Sequence, residues 1–242
     1  MNLYKNDGKV LRSISSEAKE QLIRFKEDYL KEDNLIENDC LCGSKDKELI
    51  SQKDKYAIPL QFVICKKCGL IRIDPYLSEN TLNYFYENVY RNIKDTQVDK
   101  LFAEQEKKGS KIHNFINQDI DFNQIKQVIE IGCGAGGILY YFEKLGKKTL
   151  GFDYDKKFLD YGNSKGLNLH FGNALEELPK YELENSIIVI NHVVEHILDV
   201  KNFIKKLETI VPIGIYIYIS VPGTLEYVNR HYPNNLYKRS SC

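Results

Sequence analysis

The run Glu130-Ile131-Gly132-Cys133-Gly134-Ala135-Gly136-Gly137 is where this chain's residue types and spacing point most directly to chemistry. An apolar, β-branched stretch, 127–131, precedes it and reads as a strand; an apolar stretch, 137–145, follows and reads as a helix. Glycines at 132, 134 and 136 suit a sharp strand-to-helix turn against which a nucleotide can lie without meeting a Cβ. Gly132, Gly134 and Gly137 also spell G-x-G-x-x-G, so a nicotinamide-dependent oxidoreductase is one reading. Asp153 ends the next strand candidate, 149–153, placed to accept the ribose hydroxyls of either kind of cofactor. Glu130 separates the two. A carboxylate aimed at the loop repels a pyrophosphate and suits the cationic amino-acid moiety of S-adenosylmethionine.

Candidate proton-transfer groups lie further on. His192 and His196 follow the strand candidate 186–191, and His231 lies in the C-terminal tail. Displacement at a sulfonium needs alignment, a water-poor pocket and, where the acceptor must lose a proton, a base. Histidine is the side chain whose ordinary titration range fits that task. The pair Glu195-His196 also has a purely structural reading, as a hydrogen-bonded tie for its own loop.

Four cysteines make a second chemical cluster. Cys40-Leu41-Cys42-Gly43 and Cys65-Lys66-Lys67-Cys68-Gly69 flank a 22-residue interval. Cys-x-x-Cys-Gly is a tight knuckle whose amides can face thiolate sulfurs, and two knuckles make a tetrahedral four-thiolate zinc site. The first knuckle is one residue short, so Cys40 is expected to reach the metal with altered geometry. Four thiolates leave no open position, which makes the expected role of the zinc structural.

The elements that must position these groups fall into zones. Residues 15–34 are charged with apolar residues at helical spacing, after a Ser15-Ser16-Glu17 start. Within 40–75, the stretches 60–64 and 70–73 read as short strands. Ser78-Glu79 opens a helix, and 98–116 is another. From 127 the texture becomes strand–helix alternation, with strands at 127–131, 149–153, 167–171, 186–191 and 213–220 and helices at 137–145, 156–162 and 200–210. That alternation predicts an α/β, Rossmann-like, doubly wound parallel sheet. The expected division is an N-terminal helical segment (1–37), a zinc-ribbon-like subdomain (38–77), a helical linker (78–125) and the sheet domain (126–242).

Lys+Arg and Asp+Glu are equal at 34 each, so no global field favours nucleic acid or an anionic membrane. The polar N-terminus is unlike a secretory signal and no apolar run is long enough to span a bilayer, so the expectation is a cytoplasmic protein with reduced cysteines.

Over about 127–222 the sequence resembles the class I S-adenosylmethionine-dependent methyltransferases. The glycine loop carries the resemblance, together with His192-Val193-Val194-Glu195-His196-Ile197-Leu198-Asp199 after the fourth strand. The resemblance implies that Glu130, Gly132, Gly134, Gly136, Asp153 and Asn191 bind the cofactor. It also implies that Asn173, standing where Asp is more usual, and the Ala174 amide meet the adenine. The cysteine ribbon, with Gly69-Leu70, Asp74-Pro75 and Tyr84-Phe85-Tyr86 after it, resembles a bacterial subgroup that includes sugar C-methyltransferases. That implies a small-molecule acceptor, such as a nucleotide-linked sugar, rather than nucleic acid. No Pro-Pro-Tyr-type element of base methylases follows the fourth strand.

Class I sheets have seven strands, and only five are legible here. The strand at 213–220 is then expected to be an apolar edge covered by a partner or by a missing C-terminal segment. A cofactor-binding or assembly protein on a methyltransferase scaffold is the alternative this raises.

Overall fold

The structure, a computed structural model, describes residues 5–10, 14–90 and 97–223. They form two units, one of residues up to 90 and one of residues 97–222. The stretch 78–125, expected as one helical linker, is divided between them.

The first unit runs α1 (Ser16–Tyr29), β1 (Leu35–Ile36), β2 (Lys47–Ser51), β3 (Phe62–Cys65), β4 (Ile71–Ile73), β5 (Tyr76–Leu77) and α2 (Glu79–Tyr84), which continues as a wider π-helical turn, Phe85–Tyr90. Ser15 starts α1 by accepting the Ala18 amide at 3.1 Å, and Ser78 caps α2 from Thr81 in the same way. Strands β2, β3 and β4 form an antiparallel meander; β1 pairs antiparallel with β5. The core gathers Leu22 and Phe25 of α1 with Tyr56, Ile58, Phe85 and Val89.

Sequence periodicity misplaces one strand. It makes all of 60–64 extended, but β3 starts at Phe62. Ile58 and Leu60 are instead buried by a loop folded on Asp54, whose Oδ1 accepts the amides of Tyr56 at 2.9 Å and Ile58 at 2.7 Å. Burial pushes the Asp54 carboxyl up to about 6, against the pull of those two amides.

The second unit runs α3 (Val98–Ile116), β6 (Gln127–Ile131), α4 (Gly137–Lys144), β7 (Lys148–Asp153), α5 (Lys156–Ser164), β8 (Leu169–Phe171), α6 (Ala174–Glu177), β9 (Ser186–Asn191), α7 (Val200–Ile210) and β10 (Tyr216–Ser220). The five strands lie in the order β10-β9-β6-β7-β8, all parallel, which is the expected Rossmann-like α/β architecture. Alternation along each strand feeds two cores. Val128, Ile187 and Val189 pack with α3, α4 and α5, while Ile129, Ile131, Ile188 and Ile190 pack with Leu178 and Leu207 on the other face. Full burial of each such side chain is worth roughly 1.5–3 kcal/mol before entropy is set against it. The same alternation puts Glu130, on β6, on the face of Val128 beneath α3.

Strand β10 is shorter than expected, because Pro212 and Gly214 (φ 96°) hold the chain in a turn before Tyr216. Its only partner among the described residues is β9, and Tyr216, Ile217 and Ile219 are exposed.

Candidate functional site

Every expected cofactor residue in the second unit lies at the carboxyl edge of the parallel sheet, where open α/β sheets take ligands. The loop after β6 is held against β7 by the amides of Gly132 (2.8 Å) and Cys133 (3.0 Å), both donating to the Phe152 carbonyl. Gly132 has φ 74°, and a Cβ on it would strike the Val193 side chain, so only glycine fits there. That contact also brings the loop after β9 against the glycine loop.

Glu130 is 1% exposed, and its Oε2 has no hydrogen-bond partner among the described residues. Burial drives its carboxyl well above the ordinary range, and the neighbouring Asp153 adds to the rise; Lys108 on α3 opposes it. A buried, orphaned carboxyl beside a second acid is costly unless protonated or met by a cation. In the free protein the raised pKa favours the protonated carboxyl; a cation placed against it would favour the ionised form.

Asp153 ends β7 as expected, and both of its oxygens accept backbone amides. Oδ2 takes Gly134 N–H and Oδ1 takes Asp155 N–H, each at 2.8 Å. Burial raises its pKa, and these amides hold the rise in check. Each carboxylate oxygen keeps a further lone pair for a hydroxyl. Asn173 is engaged within its own turn. Its Oδ1 accepts the Leu175 amide at 3.1 Å and its Nδ2 donates to Glu176 at 2.9 Å, so it caps α6. Ala174 behind it is buried.

Two aromatic residues of this edge are not singled out by the sequence. Tyr154 and Phe171, 60% and 63% exposed, meet edge to face with ring centroids 6.0 Å apart, beside Asp153. An aromatic residue directly after a strand-ending acid is the available signal, and a flat, apolar ligand face is what such a pair accommodates.

On the other side of the loop, Asn191 closes β9 and His192 follows with φ 58°. A positive φ on histidine is a strained backbone position of the sort found at functional sites. The His192 amide is fixed by the Ser220 carbonyl at 2.8 Å, and its Nδ1 lies 3.1 Å from Glu195 Oε1. Burial raises the Glu195 pKa, but the His192 hydrogen bond and the nearby His196 outweigh it, leaving the carboxyl below its ordinary value. The hydrogen-bonded tie expected of the Glu195-His196 segment is made within the loop by Glu195 Oε1 to His192. His196 sits half-buried on the same turn, Val194–His196. His231 lies outside the described residues.

In the first unit, Cys40, Cys42, Cys65 and Cys68 come together with all sulfurs within 4.8 Å of one another. Cys40 and Cys68 Sγ are 3.4 Å apart, and Cys42 and Cys65 Sγ 3.7 Å. Tetrahedral zinc–sulfur bonds of about 2.3 Å put sulfurs about 3.8 Å apart, so the quartet fits the ion despite the short first knuckle. The Cys68 amide leads in pulling the Cys65 thiol down to about 6. The Leu70 amide favours the Cys68 thiolate, but hydrogen bonds with the other cysteines and burial push that thiol up to about 12. Four thiolates cannot share this space without a cation between them.

A search of curated proteins finds no match. Among solved structures, the chain is similar to a SAM-dependent methyltransferase from Archaeoglobus fulgidus, at 22% identity over 52% of this chain with a TM-score of 0.43. It spans 57% of that protein's length. It is also similar to the plantazolicin methyltransferase BpumL, solved with S-adenosylhomocysteine and a desmethylplantazolicin analogue, at 15% identity, 59% and 69% coverage of the two chains and a TM-score of 0.37. A third is DesVI of Streptomyces venezuelae, at 16% identity, 53% and 58% coverage and a TM-score of 0.38. The family described as Methyltransferase domain matches residues 86–241, more than half of the chain, and the chain therefore belongs to the methyltransferase-domain family.

Proposed function

We propose that this protein binds S-adenosylmethionine at the β6–α4 loop and transfers its methyl group to a small-molecule acceptor. One observation carries the reading: a fully buried carboxyl with an orphaned oxygen, Glu130, on β6 two residues before the glycine loop. It fits the ammonium group of the cofactor's amino-acid moiety and disfavours a dinucleotide pyrophosphate. Asp153 has lone pairs for the ribose hydroxyls, and Tyr154 and Phe171 offer aromatic surface to the adenine. When bound, the cofactor supplies an electrophilic methyl group on a sulfonium. Isothermal titration calorimetry with S-adenosylhomocysteine and with NAD tests this; binding of NAD alone would overturn it.

On the acceptor side, we assign His192 as general base, with Glu195 as the group that orients it. A hydrogen bond at Nδ1 leaves Nε2 to take a proton from the acceptor. His196, on the same turn, is the second candidate for that role. The cysteine quartet holds a structural zinc ion. The neutral charge balance and the ribbon resemblance support a small molecule as acceptor, with nucleotide-linked sugars the first class to assay. We place it in the cytoplasm, acting on neither nucleic acid nor membranes. No helix among the described residues is long and apolar enough to cross a membrane.

A further inference from the structure

We propose that Gln105, on α3, is a positioning residue that presets the glycine loop for its ligand; the proposal rests on the cofactor reading above. Helix α4 begins at Gly137, and its N-cap, Gly136, has φ 79° and no side chain to satisfy the helix's first amides. Gln105 supplies from outside what the cap lacks. Its Oε1 accepts the Gly137 amide at 3.3 Å, while its Nε2 donates to the Cys133 carbonyl at 3.0 Å. One amide group thus bridges both ends of the turn, across 28 and 32 residues of sequence.

The surrounding packing is shaped to admit it. A Cβ on Gly137 would strike the Phe102 carbonyl and lie 2.7 Å from Gln105 Cβ, so glycine there lets α3 come close enough for Gln105 to reach. A Cβ on Gly134 would lie 2.8 Å from Gln105 Nε2, so the amide occupies the space that the loop's missing side chain leaves. The second side-chain tether on the loop is Asp153, through Gly134 N–H. Asp153 is also the residue that meets the ribose. Gln105 is the tether with no ligand contact of its own, so its contribution to binding is preorganisation of the loop.

Two substitutions test this. Gln105→Met keeps the length and removes both hydrogen bonds, which should weaken S-adenosylhomocysteine binding roughly ten- to thirtyfold. It should also speed hydrogen exchange of the amides at 133–137 in the ligand-free protein. Gln105→Glu keeps the acceptor at every pH but can donate to Cys133 only when protonated. Its affinity relative to wild type at the same pH should recover as pH falls, while that of Gln105→Met stays flat. Taking the ratio to wild type removes the titration of Glu130, Asp153, Cys133 and Lys108 that the proteins share, and Gln105→Met, which adds no charge, shows what remains without a carboxyl at 105. A purely structural role gives no such relative recovery.

Wild-type affinity and exchange in Gln105→Met would overturn the proposal, as would a flat ratio for Gln105→Glu. If Gln105→Met does not fold, the Gln105→Glu ratio decides. If the wild-type protein binds no S-adenosylhomocysteine, the cofactor reading fails, and loop exchange in the ligand-free variants still shows whether the clamp exists.

Discussion

Replacing Glu130 with glutamine should move ligand affinity and ligand-free stability in opposite directions. In the free protein this carboxyl is buried, orphaned and beside Asp153, so its pKa stands well above the ordinary 4.5. A folded-state pKa raised above the unfolded value means that the folded state retains the proton longer. Stability is therefore highest at and below the unfolded pKa and falls as pH rises toward the folded one. A neutral amide at this position carries no such penalty. The Glu130→Gln variant should melt higher than wild type at pH 8, by about 2–4 °C for each kcal/mol relieved in a chain of this size. Binding runs the other way. The cofactor's ammonium favours the ionised carboxylate, so wild-type affinity for S-adenosylhomocysteine should climb with pH, by at most about tenfold per unit. Losing that charge-assisted bond costs about 2 kcal/mol, a weakening of roughly thirtyfold at pH 8, with little pH dependence left in the variant. Calorimetry from pH 6 to 8.5 and thermal melts of the ligand-free proteins measure both. Equal affinity in the two proteins across that range would refute the role of Glu130. A variant that melts lower than wild type at pH 8 would refute the account of its burial.

His192→Ala should lower kcat by roughly 10²–10⁴-fold on an acceptor that must lose a proton, with S-adenosylhomocysteine affinity unchanged. Glu195→Gln should fall between it and wild type; a His192→Ala variant as active as wild type would exclude His192 as the base. Tyr154→Ala should weaken S-adenosylhomocysteine binding by about 1–3 kcal/mol if its ring meets the adenine, and leave the affinity of the bare amino-acid moiety alone. Zinc analysis of reduced protein should give one ion per chain. Cys68→Ser or strong chelation should lower the melting temperature of the first unit by about 4–8 °C for each kcal/mol of metal binding lost. Metal-free protein with unchanged melting would count against a structural zinc.

The sheet is legible in sequence because its signals are local. Strands β6 and β9 are short β-branched runs bounded by glycine or polar turns, and helix starts are marked by Ser15, Ser78 and Asp155, whose side chains accept amides of the first turn. Strand β2 escapes notice because four of its five residues are not buried, so no apolar alternation marks it. In the candidate site, glycines, acids and cysteines stand out by type and spacing. Asn173 reads as a ligand contact from sequence although its preference for helix caps is equally strong, and the structure uses that preference. Gln105 cannot be found this way. It acts on residues 28 and 32 positions away, and nothing in its own neighbourhood of sequence distinguishes it from an exposed helical glutamine.

The close approach of Val193 to Gly132 bears on how the protein could be re-engineered. Residue 193 lies between the strand-ending Asn191 and the His192–Glu195 pair on one side and the cofactor loop on the other. Libraries that diversify the segment after β9 to alter acceptor choice would, on including position 193, select on cofactor retention at the same time. A larger residue there presses on a glycine that has no freedom to yield, and a smaller one opens a void under the loop. Holding Val193 fixed while varying its neighbours would keep the two selections independent.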